Sequence, residues 1–390
     1  MANNNKHTGP NVPALRFPEF SGEWTKIKLG DLGSFFSGGT PSSSRKDFYG
    51  GEIPFIRSGE LHSDSTALSI TKEAYDSCSA KMVNKGDLLL ALYGATSGDI
   101  SISRISGAIN QAILCIRPQY MDAYFIKSLW EKHKKHILET YLQGGQGNLS
   151  SEIIKNISFF FPNSDEQFKI SRLIHIIDDL IETQSKIIEE LTTLRSALLE
   201  KVFQVSNPTL EVGAIAHQTS ERNKLCRYSN VLSVSNRFGF INQSEQFEDR
   251  NVASDDVRNY KVVHRGDFAY NPARINVGSI AMLKSFESGI VSPMYICFQV
   301  DDTIVDPSFF ELFLETEAFK DEMEIRLEGS VRRCLSFEAL CEIHLPRPAL
   351  LVQRSISDKI GNISSKIKLE DRILRAYIRQ KEWLLRQMFI

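Results

Sequence analysis

The chain has 390 residues, of which 42% are hydrophobic and 24% are charged, and its formal net charge is -2. This length exceeds one ordinary core and predicts two domains with connecting helices. No apolar run approaches the ~20 residues of a membrane span, and the polar first residues lack a signal-peptide pattern, so we expect a cytoplasmic protein. The near-neutral net charge argues against a generally basic protein that coats nucleic acid, although it allows local basic patches that bind it. The six cysteines are scattered singly, which predicts reduced thiols rather than a metal site.

After a polar tail over residues 1–14, alternating apolar and polar residues predict a first strand from Lys26 to Asp31. A loop rich in Gly and Ser begins at Gly38 and precedes a short strand, Ile53 to Gly59. Further strands are predicted at Asp87 to Tyr93, Gly98 to Ser103 and Ala112 to Arg117. A Lys-rich helix, Asp122 to Tyr141, follows them and carries His133 and His136. The first half of the chain is therefore expected to mix helices and strands.

A long helix is predicted next, because the stretch from Gln167 to Phe203 has coiled-coil periodicity and occurs twice. Shifted by 186 residues, it matches Gln353 to Phe389 without a gap at 10 identical positions, where chance gives roughly two. Apolar residues alternate at spacings of four and three, and Ser164 with Gln167 predicts a capping box at the start. The predicted seam residues are Ile170, Ile174, Ile177, Ile181 and Leu198 in the first helix and Ile356, Ile360, Ile363, Ile367 and Leu384 in the second.

Opposite charge balances favour pairing of the two helices with each other. Ser164 to Gln204 holds 5 basic and 8 acidic residues, whereas Leu351 to Ile390 holds 9 basic and 4 acidic residues. A mixed pair brings these unlike charges together. The alternative is two unrelated amphipathic helices, each packed on its own domain.

The second half repeats the plan of the first half before it reaches its own long helix. Lys85-Gly86-Asp87-Leu88 corresponds to Arg265-Gly266-Asp267-Phe268, and Leu149-Ser150-Ser151-Glu152 corresponds to Leu335-Ser336-Phe337-Glu338. The intervening loops differ, since Tyr93-Gly94-Ala95-Thr96 is replaced by Ala273-Arg274-Ile275-Asn276. The chain therefore reads as a tandem duplication of one domain plus one helix, with the same scaffold and a different loop surface in each copy.

Several segments, in this order and at this total length, resemble one known family. They are Leu15-Arg16-Phe17-Pro18-Glu19-Phe20 with Gly22 and Trp24, Ile56-Arg57-Ser58-Gly59-Glu60-Leu61, Gly266-Asp267, Tyr270-Asn271-Pro272-Ala273-Arg274-Ile275-Asn276-Val277-Gly278-Ser279-Ile280, and the helix from Glu166-Gln167 to Phe203. Over nearly its whole length the chain resembles the specificity subunit of type I restriction-modification systems.

The resemblance implies an α+β fold with two similar mixed α/β target-recognition domains, separated by two long antiparallel coiled-coil helices. These helices, with the seam residues given above, would set the spacer between the half-sites and dock the methyltransferase subunits. Each domain would read one half of a bipartite site in double-stranded DNA, and the chain would be non-catalytic and hold no cofactor. Two methyltransferase subunits would supply S-adenosylmethionine and catalysis, and two endonuclease subunits would supply restriction with ATP and Mg. The expected bounds are a flexible tail at 1–14, domain 1 at 15–162, a central helix at 163–205, domain 2 at 206–350 and a C-terminal helix at 351–390.

Loop residues with the donors that base edges and phosphates require are the candidate DNA contacts. Arg suits guanine, Asn and Gln suit adenine, and Lys or Arg neutralises phosphate. The candidates are Arg45, Lys46, Arg57, Gln146, Asn148, Arg274, Arg332 and Arg333. His133 and His136 could hold a metal, but Lys neighbours repel a cation, so we interpret their helix as a solvated face or a phosphate-contacting patch.

Three rival functions are open at this point. A stand-alone methyltransferase is opposed by Tyr270-Asn271-Pro272-Ala273, which lacks the second proline and the aromatic residue of the adenine-methyltransferase motif. We read Asn271-Pro272 instead as a turn that places Arg274 on the surface. The other rivals are a specificity chain of another restriction-modification class, and a coiled-coil scaffold without sequence-selective DNA binding.

Overall fold

The computed structural model describes residues 11–142, 148–204, 208–236, 238–243, 256–329 and 333–390. Its contacts divide the chain into two compact units: residues 1–186 with 372–390 form unit 1, and residues 187–371 form unit 2. Each unit therefore contains a part of both long helices, and the domain bounds expected from the sequence stay a prediction. Among the described residues, no helix is both long and apolar enough to cross a membrane.

The described residues of unit 1 form a two-stranded sheet and two four-stranded sheets. Its strands are β1 (Thr25–Lys28), β2 (Gly33–Ser37), β3 (Tyr49–Ile56), β4 (Ser69–Ile70), β5 (Lys81–Val83), β6 (Leu88–Ala91), β7 (Ile100–Ile102), β8 (Gly107–Ile109), β9 (Ile113–Pro118) and β10 (Ser158–Phe161). The sheets have the orders β1-β10, β2-β9-β6-β7 and β4-β3-β8-β5. Strand β6 is apolar and buried throughout, as expected for a strand covered on both faces.

The helices of unit 1 pack against its strands. They are α1 (Lys72–Asp76), α2 (Ala123–Leu142), α3 (Ser151–Asn156) and the first part of α4 (Ser164–Gln204). Two predicted strands end earlier than expected, because the chain turns into 3-10 helices at Leu29–Asp31 and Ser58–Glu60. The predicted helix from Asp122 to Tyr141 is α2, whose first turn is capped by Asp122 through the N–H of Phe125 at 2.7 Å.

In unit 2, the part of the chain that the structure describes forms one four-stranded sheet and three pairs of strands. Its strands are β11 (Thr209–Glu211), β12 (Ala216–Thr219), β13 (Leu232–Ser235), β14 (Gly239–Asn242), β15 (Lys261–His264), β16 (Phe268–Tyr270), β17 (Ile280–Met282), β18 (Ser288–Val291), β19 (Ile296–Val300) and β20 (His344–Pro346). Its helices are the end of α4, α5 (Pro307–Phe313), α6 (Glu317–Arg326), α7 (Phe337–Cys341) and most of α8 (Leu350–Met388).

The duplication predicted from the sequence is visible in the strand order of the two units. One of the four-stranded sheets of unit 1 has the order β2-β9-β6-β7, and the four-stranded sheet of unit 2 has the order β12-β19-β16-β17. Strands at matching places in the two sheets also match in chain order. The tandem duplication is therefore confirmed at the level of sheet topology, and the fold is α+β as expected.

A glycine-aspartate turn explains one of the repeated motifs. Gly86 and Gly266 both adopt positive φ, at 98° and 93°, a region that favours glycine. The following carboxylates accept hydrogen bonds from backbone N–H groups, Asp87 from Asn84 and Asp267 from His264, each at 2.8 Å. The motif is kept in both copies because it closes the turn into the central strand of each sheet.

The segment before β1 is held against the start of α4 in unit 1. The Arg16 guanidinium donates two hydrogen bonds to the Glu166 carboxylate, at 2.7 and 2.6 Å, and both side chains are almost fully buried. The N–H of Trp24 donates to the carbonyl of Asn11 at 2.9 Å, and Pro13 is buried. Residues 11–14 are thus packed rather than flexible, because they cover this corner of the core, whereas the rest of the expected tail lies outside the described residues.

Helix α4 begins differently from the predicted capping box. Asn163 is the cap, since its side chain accepts a hydrogen bond from the N–H of Glu166 at 2.9 Å. The capping box predicted on Ser164 is therefore wrong: the Gln167 side chain donates to the carbonyl of Pro162 at 2.9 Å, one residue before the cap, and Ser164 is already inside the helix. Asn is as good a cap as Ser, so the sequence offered two neighbouring choices.

Gln167 and Ser171, two polar positions of the repeat, anchor α4 to α2. Ser171 Oγ donates to Asp122 Oδ1 at 2.6 Å, and the N–H of Asp122 donates to Gln167 Oε1 at 3.3 Å. Both side chains of α4 are buried. Because buried polar groups need partners, these residues are fixed by the contact that joins the long helix to its domain.

Unit 2 forms the same anchor with Gln353 and Ser357. Ser357 Oγ donates to Asp306 Oδ1 at 2.7 Å, and the N–H of Asp306 donates to Gln353 Oε1 at 2.9 Å. Gln353 Nε2 donates to the carbonyl of Pro348 at 2.8 Å. The two helices therefore join their domains through the same buried bonds, which accounts for the polar matches of the repeat.

The apolar seam packs within each unit. In unit 1, Ile170, Ile174 and Ile177 share a core cluster with Leu384 and Met388 of α8. Burying such a side chain contributes about 1.5 to 3 kcal/mol, so the seam holds both helices to the domain. Ile181, Ile356, Ile363 and Ile367 are half-buried, and Ile360 is buried in unit 2.

Leu198 departs from the predicted seam. It is 36% exposed, whereas its neighbour Leu199 is 4% exposed and packs with Phe203 and Ile360 in the core of unit 2. An α-helix has 3.6 residues per turn, so a 3.5-residue pattern drifts around a straight helix. By the end of α4 the buried face has moved by one residue.

A half-buried ionic cluster accompanies the seam in unit 1. Asp178 of α4 accepts from Lys127 of α2 at 2.9 Å and from Lys381 of α8 at 2.7 Å, and it also bonds the Tyr124 hydroxyl. Lys381 pairs in addition with Glu131 at 2.7 Å. Three helices therefore meet at one carboxylate.

Candidate nucleic-acid interface

Two polar loops of unit 1 follow its central strands. The first loop follows β6 and contains Tyr93 to Thr96, and the N–H of Leu149 donates to the carbonyl of Leu92 at 3.0 Å. This bond places the exposed Asn148, one of the candidate DNA contacts, beside the loop. Gln146, the other candidate of this segment, lies outside the described residues.

The second loop of unit 1 follows β8 and lies beside Arg57. The N–H of Asn110 donates to the carbonyl of Ile56 at 3.3 Å, next to Arg57. Gly38 packs so closely on β8 that an added Cβ would come within 1.7 Å of the Ile109 carbonyl oxygen. The glycine loop is therefore packed rather than a mobile connection, and its Thr40 hydroxyl bonds the side chain of Gln111.

Two candidate cations of unit 1 are already paired. Arg45 donates to both oxygens of Asp47, at 2.9 and 2.6 Å, and its guanidinium lies 4.2 Å from the ring centre of Phe48. Arg57 donates to both carboxylate oxygens of Glu60, at 3.1 and 3.2 Å. Lys46 is exposed on the same 3-10 turn as Asp47. The two arginines can bind phosphate only in exchange for, or together with, their carboxylate partners.

Glu60 stays ionised beside Arg57. Burial acts to raise the pKa of Glu60, but hydrogen bonds from the Arg57 side chain and from the N–H of Ala67 outweigh it and hold that pKa below its usual value. The charge on Glu60 fixes the guanidinium at the mouth of the second loop. Arg57 is therefore positioned before any ligand binds.

In unit 2 the structure brings two candidate segments together. The N–H of Leu335 donates to the carbonyl of Pro272 at 3.2 Å, which joins the segment of Arg333 to the loop of Arg274. Asn271 forms the predicted turn, because its side chain accepts from the N–H of Ala273 at 3.1 Å. Arg274 is exposed and forms no ion pair with a described residue. Arg333 pairs with Glu324 at 2.8 Å, and Arg332 lies outside the described residues.

The basic helix α2 offers a smaller patch than its sequence indicates. His133 Nε2 lies 2.9 Å from the carbonyl oxygen of Ile390, and Lys132 donates to the carbonyl of Phe389 at 2.6 Å. Burial lowers the pKa of His133, so the imidazole is neutral near pH 7. The interpretation of this face as solvated or as a phosphate patch is wrong for His133 and Lys132, because the two residues that follow α8 cover them. His136, by contrast, is exposed.

The long helices of unit 1 carry exposed apolar residues on the side away from its domain. On α4, Ile176 and Leu180 are 49% and 41% exposed. At 100° per residue they project away from Asp178, which faces the domain. On α8, Trp383 is 48% exposed and projects away from Lys381, the partner of Asp178. We call these three residues, Ile176, Leu180 and Trp383, the apolar face of unit 1.

Sequence reasoning missed several residues of these surfaces. Asn110 and Gln111 could have been found, because they follow directly after an apolar strand, a place where loop residues reach the surface. No local signal marks Asp178, since its three partners come from distant parts of the chain. Pairing between remote segments is not readable from one segment alone.

Comparison with family models gives one match. Residues 21–193 match the model described as the type I restriction modification DNA specificity domain. This range contains the described loops of unit 1 and most of α4.

Curated relatives carry similar names. The chain is 24% identical over 391 residues to the type I restriction enzyme MjaVIII specificity subunit of Methanocaldococcus jannaschii, covering 91% of this chain and 89% of that protein. It is 28% identical over 192 residues to the MjaIX specificity subunit of the same organism, covering 46% of this chain and 44% of that protein. The second match thus spans less than half the length of that relative.

Solved structures share the fold. The S subunit of a type I restriction-modification system from M. genitalium superposes with a TM-score of 0.65 at 15% identity, covering 97% of this chain and 99% of that one. A chain from a study of complex assembly and conformational transition of the type I R-M system gives a TM-score of 0.51 at 13% identity, covering 93% and 96%. The likeness extends over both units.

Proposed function

We propose that this chain, which is similar to the specificity subunits of type I restriction-modification systems, selects DNA without catalysing a reaction, each unit reading one half of a bipartite site. The observation that carries the proposal is the pair of sheets with the same strand order. The loops on these sheets differ, with Tyr93 to Thr96 in one and Ala273 to Asn276 in the other. The same scaffold with different polar loops suits two unlike half-sites.

Affinity and sequence choice come from different groups in this proposal. Phosphate neutralisation by Lys and Arg supplies most of the affinity and makes it depend on salt. Base edges are chosen by side chains that enter a groove. Lys46 and Arg274 are exposed and can contact either a phosphate or a base. The guanidinium groups of Arg45 and Arg57 are instead held in fixed directions by carboxylates. We propose all four residues as DNA contacts that can be tested by substitution.

Replacing residues 206–350 by the equivalent domain of a relative should change one half of the methylated motif and leave the other half unchanged. The reason is that the loops of each unit are carried by its own sheet. Sequencing the methylated adenines of cells that express the hybrid with its methyltransferase measures the outcome. The reciprocal replacement of residues 15–162 is the control, and it should change the other half. A hybrid that changes both halves or neither would show that the units do not read separately.

We also propose that the apolar face of unit 1 docks a methyltransferase subunit. A structural neighbour comes from an assembled type I system, which supports partner subunits for this chain. Exposed aromatic and aliphatic residues are typical anchors of protein interfaces. The positions 186 residues after Ile176 and Leu180 are Asn362 and Lys366. Because these are polar, we expect the two docking positions to differ in strength.

Trp383→Ala should weaken binding of the methyltransferase subunit by about 2 kcal/mol or more, as for a central interface aromatic. Isothermal titration of the full chain with that subunit measures the loss, and the denaturation midpoint should change little because the side chain is half-exposed. The control is Arg386→Ala on the same helix, whose side chain is 62% exposed. Equal binding by the Trp383 variant and the unmodified chain would remove this face from the interface.

A further inference from the structure

A small cleft lies in unit 2 at the edge where the candidate contacts converge. Its volume is about 150 Å³, and Gln243, Asn271, Arg274, Ser292, Met294 and Tyr295 are among the residues that line it. These residues come from the end of β14, from the loop after β16 and from the loop after β18. The cleft therefore joins Arg274 to two loops that the sequence did not connect with it.

The walls of the cleft are fixed by internal hydrogen bonds. Tyr295 accepts through its hydroxyl from the N–H of Val234 at 3.3 Å, and Ser279 Oγ donates to the carbonyl of Val234 at 3.0 Å. Lys261 Nζ donates to the carbonyl of Tyr295 at 2.6 Å. With both sides tied to β13, the cleft is formed before a ligand arrives.

Gln243 has an unused hydrogen-bonding group in the cleft. Its backbone N–H donates to the carbonyl of Val231 at 3.0 Å, which fixes the residue at the end of β14. Its side-chain carbonyl oxygen is buried and has no hydrogen-bond partner among the described residues. Buried polar atoms in native proteins are rarely left without a partner. A buried acceptor that lines an open cleft indicates a ligand that brings a donor.

The size of the cleft restricts that ligand. Pockets for cofactors and other small molecules measure about 300 to 1,000 Å³, so S-adenosylmethionine is too large for this one. The edge of one base requires only a few atoms of space. On the rim, Met294 is 64% exposed and offers an apolar surface of the kind that contacts a thymine methyl group.

We propose that this cleft reads one A·T pair of the half-site bound by unit 2, with Gln243 as the specificity-determining residue. The amide matches adenine, because its oxygen accepts from N6–H and its nitrogen donates to N7. Arg274, exposed beside it, contacts the adjoining phosphate. The inference rests on the proposed function, because it presumes that unit 2 reads DNA. At matching positions of the first copy, Asn271 and Arg274 are replaced by Ala91 and Gly94, so this reading belongs to one half-site.

The test is Gln243→Met, which keeps the length of the side chain and removes its hydrogen bonds. The full chain and the variant select binding sites from a randomised DNA library, and the selected sequences are counted. We expect the preference for adenine at one position of one half-site to fall by about 5- to 150-fold, the range for one good bidentate base contact. Every position of the other half-site should be unchanged.

Two further variants complete the experiment. Gln243→Glu should shift the preference at that position from adenine to cytosine, since a carboxylate accepts from cytosine N4. Gln218→Met, an exposed glutamine on β12, is the matched control and should select the unmodified motif. If both Gln243 variants bind and keep adenine at every position, the proposed base contact is overturned.

The outcomes also distinguish failure of this inference from failure of the proposed function on which it rests. An unmodified chain that selects no bipartite sequence overturns the proposed function. If the unmodified chain selects a bipartite sequence but the Gln243 variants lower the affinity for all DNA sequences equally, only the proposal that the cleft reads a base is overturned. Arg274→Ala should lower affinity for all sequences and reduce the salt dependence by about one phosphate contact.

Discussion

Asp178→Ala is expected to destabilise the protein by about 3 kcal/mol, the lower end for breaking a buried ion pair, because 21% of the Asp178 side chain is still exposed. The substitution leaves two ammonium groups, those of Lys127 and Lys381, to share the single carboxylate of Glu131. It also removes the partner of the Tyr124 hydroxyl. Urea unfolding of unmodified and variant chains, monitored by far-UV circular dichroism, measures the difference.

The neighbouring Asp179 provides the control. Its side chain is 61% exposed and pairs only weakly with His175, at 3.6 Å on the same helix face. Asp179→Ala should therefore change the free energy of unfolding by less than about 0.5 kcal/mol. If the two substitutions had equal effects, the cluster would contribute no more than a surface charge.

The Asp178 cluster also predicts sensitivity to acid. Burial acts to raise the pKa of Asp178, but Lys127 and Lys381 outweigh it, so the pKa lies below its usual value in the folded protein. A lowered folded-state pKa contributes stability that is present above the unfolded value of about 3.9 and is lost as pH falls through the folded value. The difference between the unmodified chain and Asp178→Ala should thus shrink below about pH 4.

Lengthening both long helices by one turn is expected to lengthen the unread spacer of the DNA site by one or two base pairs. Four residues would be inserted after Lys186 and four after Asp371, the points at which the chain passes between the units. Four helical residues add ~6 Å, and one base pair occupies ~3.4 Å. Both half-sites should stay the same, because the loops that read them are untouched.

We propose that the two long helices set the distance between the reading units, and the expected change of the spacer follows from that role. Helices α4 and α8 have 41 and 39 residues. Each is therefore about 60 Å long, enough for two major-groove sites ~34 to 36 Å apart. A spacer of roughly 5 to 8 base pairs between short half-sites follows from this spacing.

Selection from a library with randomised spacers measures the change. The control inserts four residues after Leu225, an exposed turn residue, and should keep the original spacer. A folded double-insertion variant that binds with the original spacer would show that the helices are not the ruler.

The duplication and the long helices were readable from the order of the amino acids. Apolar periodicity and short motifs are local properties, so the 186-residue repeat and the recurrence of the Gly86-Asp87 motif were evident before any contact was known. The Asn271 turn was readable for the same reason, because a short polar side chain bonds its own neighbouring backbone.

The partner that each polar group meets became known from the folded chain. The sequence predicted an exposed His133, but Ile390 covers it in the structure. It likewise predicted a free Arg45, which is paired with Asp47. The buried face of α4 moved from Leu198 to Leu199 because packing, rather than an ideal repeat, sets the helix orientation.

The Asp178 cluster and the cleft at Gln243 were likewise invisible in the sequence, although their residues are ordinary. Each is assembled from segments far apart in the chain: three helices for the cluster, and β14 with two loops for the cleft. A periodic pattern tells which side of a helix or strand is buried. It does not tell which distant charge or amide the fold places opposite, because that depends on how the elements pack together.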